Sequence, residues 1–138
     1  MQKKCKIEKS KIIKGMENDN EKFKNEFKKR LYGWTLKLIK FISKLPKDMI
    51  CDVMGRQVLR SGTSVLANYI EASSASSKKD FINFFTHSLK SANETKIWFT
   101  LLRDTEKGDA QDLEWLLAEI IEIANILASS ILKLKGKR

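Results

Sequence analysis

The sequence is poor in the residues that punctuate a chain. It has one proline and six glycines in 138 residues, too few for a fold of short strands and tight turns. It has two cysteines, Cys5 and Cys51, far apart and without the paired spacing of a zinc site. Sparse cysteine of this kind fits reduced thiols in a cytoplasmic protein. No uninterrupted apolar run reaches the roughly 18–20 residues of a membrane span. The lysine-rich start lacks the apolar segment of a secretory signal. We therefore expect a cytoplasmic protein without membrane association.

Residues for catalysis are equally scarce. His87 is the single histidine. It falls beside Phe81, Phe84 and Phe85, where a packed or surface histidine is the simpler reading than a general base. Cys51 has no histidine near it in sequence and no catalytic signature. No Glu-x-x-His pattern offers metal ligands. Gly55 and Gly62 lie inside a helical pattern without the Lys-Ser/Thr of a phosphate-binding loop. The expectation is a non-enzymatic protein with no catalytic residue, no metal and no cofactor.

Positive charge is abundant but unevenly placed. Residues 1–47 hold 15 Lys/Arg against 5 Asp/Glu, and residues 48–138 hold 12 of each. The whole formal excess of +10 therefore sits in the first third, which points to a polyanionic or acidic partner approached from that side. The plainer alternative is a solvated lysine-rich segment that aids solubility.

Apolar residues recur at steps of three and four through four segments, the mark of amphipathic helices. Residues 1–20 read as a basic flexible arm, residues 21–135 as one helical domain and residues 136–138 as a basic tail. Phe23, Phe27, Leu31, Trp34, Leu38, Phe41, Ile42 and Leu45 form the stripe of a helix over about 21–44, closed by Leu45-Pro46. A second helix covers about 48–72. A serine loop follows, with Ser76 or Ser77 able to cap a third helix over about 77–105. Its seam is Phe81, Phe84, Phe85, Ser88, Ala92, Thr95, Phe99 and Leu102. Gly108-Asp109 turns the chain into a fourth helix over about 109–134. That helix is apolar nearly all round, from Leu113 to Leu134, beyond the three positions in seven that a bundle core uses. The excess implies a second buried side, hence a subunit interface, with Ile123 and Ile126 as candidate outer residues.

Within the second helix, QVLRSGTSVLANYIE places Gln57, Arg60, Ser61, Ser64, Asn68 and Glu71 at steps of three or four, a polar stripe bounded by aliphatic residues. Such a stripe is either a hydrogen-bonded network inside the protein or a contact surface. Apolar neighbours favour the network, in which a buried Arg60 would pair with Glu71 or Glu94 on a neighbouring helix or subunit. The contact reading would use Arg60 and Asn68 instead.

This stripe resembles the motif of bacterial four-helix bundle proteins encoded in intervening sequences of 23S ribosomal RNA genes, roughly Q-x-x-R-[SA]-x-x-S-x-x-x-N-x-x-E-G. Ser77, Lys78, Lys79, Asp80 and Phe81 match the start of that family's next helix, and Ser91 with Glu94 its S-x-x-E. Ala72 stands where the family has glycine, and Tyr69-Ile70 where it has Ile-Ala. The resemblance spans about residues 23–132. It implies an all-α, up-down-up-down four-helix bundle. More distantly the family resembles the accessory variability proteins of diversity-generating retroelements, which pentamerise and bind nucleic acid and a reverse transcriptase. That implies a homopentameric ring here.

The nucleic-acid candidates are the lysines of the first helix, Lys29, Lys37, Lys40 and Lys44. They span about 80° of helix surface and are expected opposite the core stripe. Lys133 and Lys135 add a second cluster, placed by a bundle at the same end as the basic arm. The functional expectation is binding of RNA, in preference to DNA, through backbone electrostatics. The alternative is a scaffold that recruits a protein such as a reverse transcriptase.

Overall fold

The computed structural model describes residues 19–136. The basic arm up to residue 18, with Cys5, and the last two residues of the tail lie outside them. Four helices make up the described chain: α1 (Asp19–Ser43), α2 (Met49–Ser73), α3 (Lys78–Asp104) and α4 (Ala110–Leu134). Among the described residues there is no strand.

Local chemistry sets the boundaries. Asp48, Ser77 and Asp109 stand in extended conformation as N-caps and accept from the backbone N–H three residues on, at Cys51, Asp80 and Asp112. Each thereby satisfies one of the orphan donors of a helix start. Gly108 has φ +85°, and a Cβ there would approach Phe41 Cζ to 2.7 Å. Only glycine fits both that backbone and that packing.

The pairings between helices run in opposite directions. Across α1 and α4, Arg30 meets Glu119, Trp34 meets Leu116 and Lys37 meets Asp112. Across α2 and α3, Ser61 meets Thr95, Ser64 meets Ser91 and Val65 meets Ser88. The core runs through all four helices, with Leu31, Trp34, Leu38, Val58, Val65, Phe99, Leu102, Leu116, Ile120 and Ile123 fully enclosed. Trp34 lies at its centre, its Nε1–H donating 3.0 Å to Leu116 O and its ring edge-on to Phe99.

The α2–α3 seam is built of short side chains. Ser61, Ser88 and Thr95 are buried and Ser64 and Ser91 half-buried. Ser88 Oγ donates 2.7 Å to Val65 O, Ser91 Oγ donates 2.8 Å to Ser64 Oγ, and Thr95 and Ser61 share a hydrogen bond of 2.8 Å. No buried side-chain nitrogen or oxygen among the described residues lacks a partner.

Helix α4 corrects one expectation. By length and composition Ala110–Leu134 is long and apolar enough to cross a membrane, although no uninterrupted run in it suggested so. Its apolar breadth turns partly inward: Leu113, Leu116, Leu117, Ile120, Ile123, Ala124, Leu127 and Ile131 are buried within the bundle. Ile123 is 0% exposed, a core residue and not an outer one. Ile126 packs half-buried against the core. Trp115, Ile121 and Leu132 remain exposed, while most exposed large apolar side chains lie on α1, α2 and α3.

Two glycines give a stability test. A Cβ on Gly62 would collide with Leu38 Cδ2 and lie 3.2 Å from Trp34 Cη2, whereas a Cβ on Gly33 meets nothing within 4 Å. Gly62→Val should destabilise by about 1–3 kcal/mol through overpacking. Gly33→Ala should stabilise by about 0.5–1 kcal/mol through helix propensity. Urea denaturation of both variants checks the pair.

Candidate nucleic-acid interface

Helix α1 turns Phe27, Leu31, Trp34, Leu38 and Phe41 to the core. At about 100° per residue, Lys29 and Lys40 fall well round from that line, and both are exposed. Lys44, just beyond the helix, is exposed as well. Lys37 is different: it lies only about 80° from the core line, on the flank that faces α4. Its Nζ is 3.9 Å from Asp112 Oδ1 and 4.2 Å from the centre of the Trp115 ring. Lys37 is therefore an intramolecular partner and no part of a free basic face. Leu36 and Lys29 lie most nearly opposite the core, flanked by Tyr32 and Ile39 on one side and Lys40 on the other, all exposed. The outward side of α1 thus carries apolar side chains beside Lys28, Lys29 and Lys40.

Lys133 and Lys135 are exposed at the end of α4. The antiparallel α1–α4 pairing puts them at the end where α1 begins, away from Lys40 and Lys44. The six lysines singled out in the sequence therefore do not form one patch.

The polar stripe of α2 divides. Ser61 and Ser64 turn into the α3 seam, while Arg60 lies at its rim with 59% of its side chain exposed. Arg60 donates from Nε (3.0 Å) and NH2 (2.8 Å) to Gln57 Oε1, and NH2 also pairs with Glu94 Oε2. Trp98 Nε1–H donates 2.8 Å to the same carboxylate oxygen. The Trp98 bond, then Arg60, hold the Glu94 carboxyl below its ordinary range. Asn68 Nδ2 donates 2.9 Å to both Ser64 O and Ser64 Oγ. Glu71 is exposed and pairs with no described residue. It lies eleven residues from Arg60 on the same helix, about 16 Å along the axis, so of the two expected partners Glu94 on the neighbouring helix is the one that Arg60 meets within the chain. The expected buried Arg60 network is thus a surface cluster of Gln57, Arg60, Glu94 and Trp98 above a buried hydroxyl seam. His87 is exposed. Among the described residues no three His, Cys, Asp or Glu side chains gather as metal ligands.

Residues 11–129 match the family described as 23S rRNA-intervening sequence protein. The chain belongs to that family. A crystal structure of a protein with unknown function from the S23 ribosomal protein family of Bacteroides thetaiotaomicron is similar, at 36% identity and TM-score 0.72, covering 78% of this chain and 96% of that one. No curated protein matches. These findings support the first resemblance drawn from the sequence and add nothing to the link with retroelement proteins. In this member of the intervening sequence family, the motif residues Gln57, Arg60, Ser61, Ser64, Asn68, Ser91 and Glu94 form the α2–α3 contact and its rim, while Glu71 stands apart.

The sequence reading missed the strongest ion pair. Arg30 Nε donates 2.9 Å to Glu119 Oε2, and its NH2 donates 2.6 Å to Glu119 Oε1 and 2.7 Å to Glu122 Oε2. This fork clamps α1 to α4. A cation directly before Leu31, facing a glutamate in an otherwise apolar helix, was the available signal. Arg30 holds the Glu119 carboxyl below its ordinary range, chiefly by the hydrogen bond.

Arg30→Ala should cost about 1 kcal/mol after solvent screening of a partly exposed pair. Arg60→Ala should cost less, because Trp98 still serves Glu94. Because the Glu119 carboxyl is depressed in the folded state, its contribution is full above the unfolded value near 4.3 and lost as pH falls through the folded one. The Arg30→Ala deficit should therefore be present at neutral pH and vanish in acid, as urea titrations across pH would show.

Proposed function

We propose that this chain is a non-enzymatic, oligomeric helical-bundle protein that binds nucleic acid, RNA in preference to DNA, through the outward side of α1. The observation that carries this reading is the placement of charge. The excess of +10 lies within residues 1–47, and in that span Lys28, Lys29, Lys40 and Lys44 stand exposed with no ion pair to a described residue. Unpaired cations along one helix attract a polyanion and release its counterions. The family's description, which concerns intervening sequences of ribosomal RNA, favours RNA. The reading places the protein in the cytoplasm, without cofactor or membrane.

Assembly is the second part of the proposal, with a homopentameric ring as the form the sequence resemblance implies. Its contact surface is sought on exposed apolar side chains: Met49, Ile50 and Val53 on α2, and Ile97, 61% exposed, with Leu101 on α3. The same side chains support a scaffold reading, in which they seat another protein such as a reverse transcriptase.

Two measurements follow. Affinity for RNA should fall with salt at a log-log slope of about −0.7 per single-strand phosphate contact. Changing Lys29, Lys40 and Lys44 together to Ser should flatten that slope and weaken all sequences alike, whereas Lys37→Ser should act mainly on the α1–α4 contact. Absence of binding to RNA or DNA at low salt would turn the reading to the scaffold. Separately, light scattering should give a multiple of 15.9 kDa, and Ile97→Glu should lower it with helicity kept. Ile123→Glu should unfold the bundle instead. A wild-type monomer would remove the assembly.

A further inference from the structure

Between α1 and α2 lies an open groove of about 700 Å³, within the range of sites for small ligands. Tyr32 lies in it, 56% exposed. Phe27, Tyr69, Phe81 and Phe85 pair with one another, Trp34 and Phe41 pair with Phe99, and Trp115 carries Lys37. Tyr32 has neither a ring partner nor a hydrogen bond to any described residue. Lys28 and Lys29, one turn before it, line the groove together with Lys22, Asn25 and one carboxylate, Glu26. Leu66 and Ile70 of α2 form the facing wall. Next to the ring, Gly33 leaves its side of the groove open, since a Cβ there would meet nothing within 4 Å.

We infer that this groove is a stacking subsite for single-stranded RNA, in which one base lies on the Tyr32 ring against Leu66 and Ile70 while Lys22, Lys28 and Lys29 hold the flanking phosphates. The inference rests on the nucleic-acid reading above and adds to it the strand form and the residue that recognises a base face. An unpartnered aromatic ring in a groove lined by three cations against one carboxylate is complementary to a base and its phosphates, whereas a non-polar peptide would leave the lysines unused. Bases in a duplex are already stacked and cannot reach the ring. Stacking on an aromatic side chain tolerates any base, so the subsite selects strand form and not sequence.

The test is fluorescence anisotropy with a labelled short single-stranded RNA of mixed sequence and an RNA duplex of equal length. Tyr32→Ala should weaken single-strand binding about 5- to 150-fold with its salt slope and the duplex affinity unchanged. Tyr32→Phe should bind like wild type. Lys28→Ser with Lys29→Ser should lower the slope by about 0.7 per lost contact. Tyr32 is exposed, so circular dichroism melting of Tyr32→Ala should match wild type. The subsite is overturned if Tyr32→Ala binds single strands as wild type does, or weakens single strand and duplex alike. It is also overturned if Tyr32→Ala changes the mass in light scattering, because a second copy of the chain then covers the groove. Failure of wild type to bind either RNA removes the broader reading along with the subsite, whereas intact wild-type binding with an indifferent Tyr32→Ala removes the subsite alone.

Discussion

The seam between α2 and α3 is the constraint on which the rest of the molecule depends. Two helices carrying serine, threonine and alanine at their contact approach closely enough for hydroxyls to bond across it, as Ser61 with Thr95 and Ser64 with Ser91 do. A hydroxyl buried without a partner costs about 1–3 kcal/mol, so these side chains hold one register between the helices. A slip along the axis would break the Ser61–Thr95 and Ser64–Ser91 bonds and take from Ser88 its acceptor Val65 O, while Thr95 and Ser61 would keep only their bonds to Ser91 O and Val58 O within their own helices. The large side chains are then gathered on the other side of α2, where Gly62 admits Trp34 and Leu38 from α1.

That arrangement decides what reaches the surface. With the short residues turned inward, Arg60 is left at the rim, held by Gln57 and Glu94 and exposed to water. With α2 committed to α3, α1 leans on Gly62 and the core by one side and on α4 through the Arg30–Glu119 fork. Its far side stays uncovered, carrying Tyr32, Leu36 and Ile39 beside Lys28, Lys29 and Lys40. The uncovered side of α1 thus carries free cations and exposed apolar side chains together.

Much of this was legible in the sequence. Periodicity placed four helices to within a few residues, because the apolar steps of three and four are long and the helix starts are marked by Ser76 or Ser77, of which Ser77 is the cap, and by Asp109. The mixed seam of α3, with Ser88, Ala92 and Thr95 among phenylalanines, was readable as buried. The direction of the polar stripe was not. Arg60 and Ser61 are neighbours in sequence but about 100° apart on the helix, so a stripe read as one unit splits into a buried half and an exposed half. Lys37 misled for the same reason: an 80° fan of lysines has an edge, and the edge touches α4. The breadth of α4 misplaced Ile123, since a helix flanked by two neighbours can bury a wide face within its own chain, and it is Trp115, Ile121 and Leu132 that stay exposed.

The proposed nucleic-acid side of the bundle is α1. The most direct measurement is ultraviolet cross-linking of single-stranded RNA to the protein, with the linked peptides located by mass spectrometry. Adducts should fall on α1 and the facing wall of α2, concentrated around Lys29 and Tyr32. Adducts confined to α3 and α4 would contradict this placement.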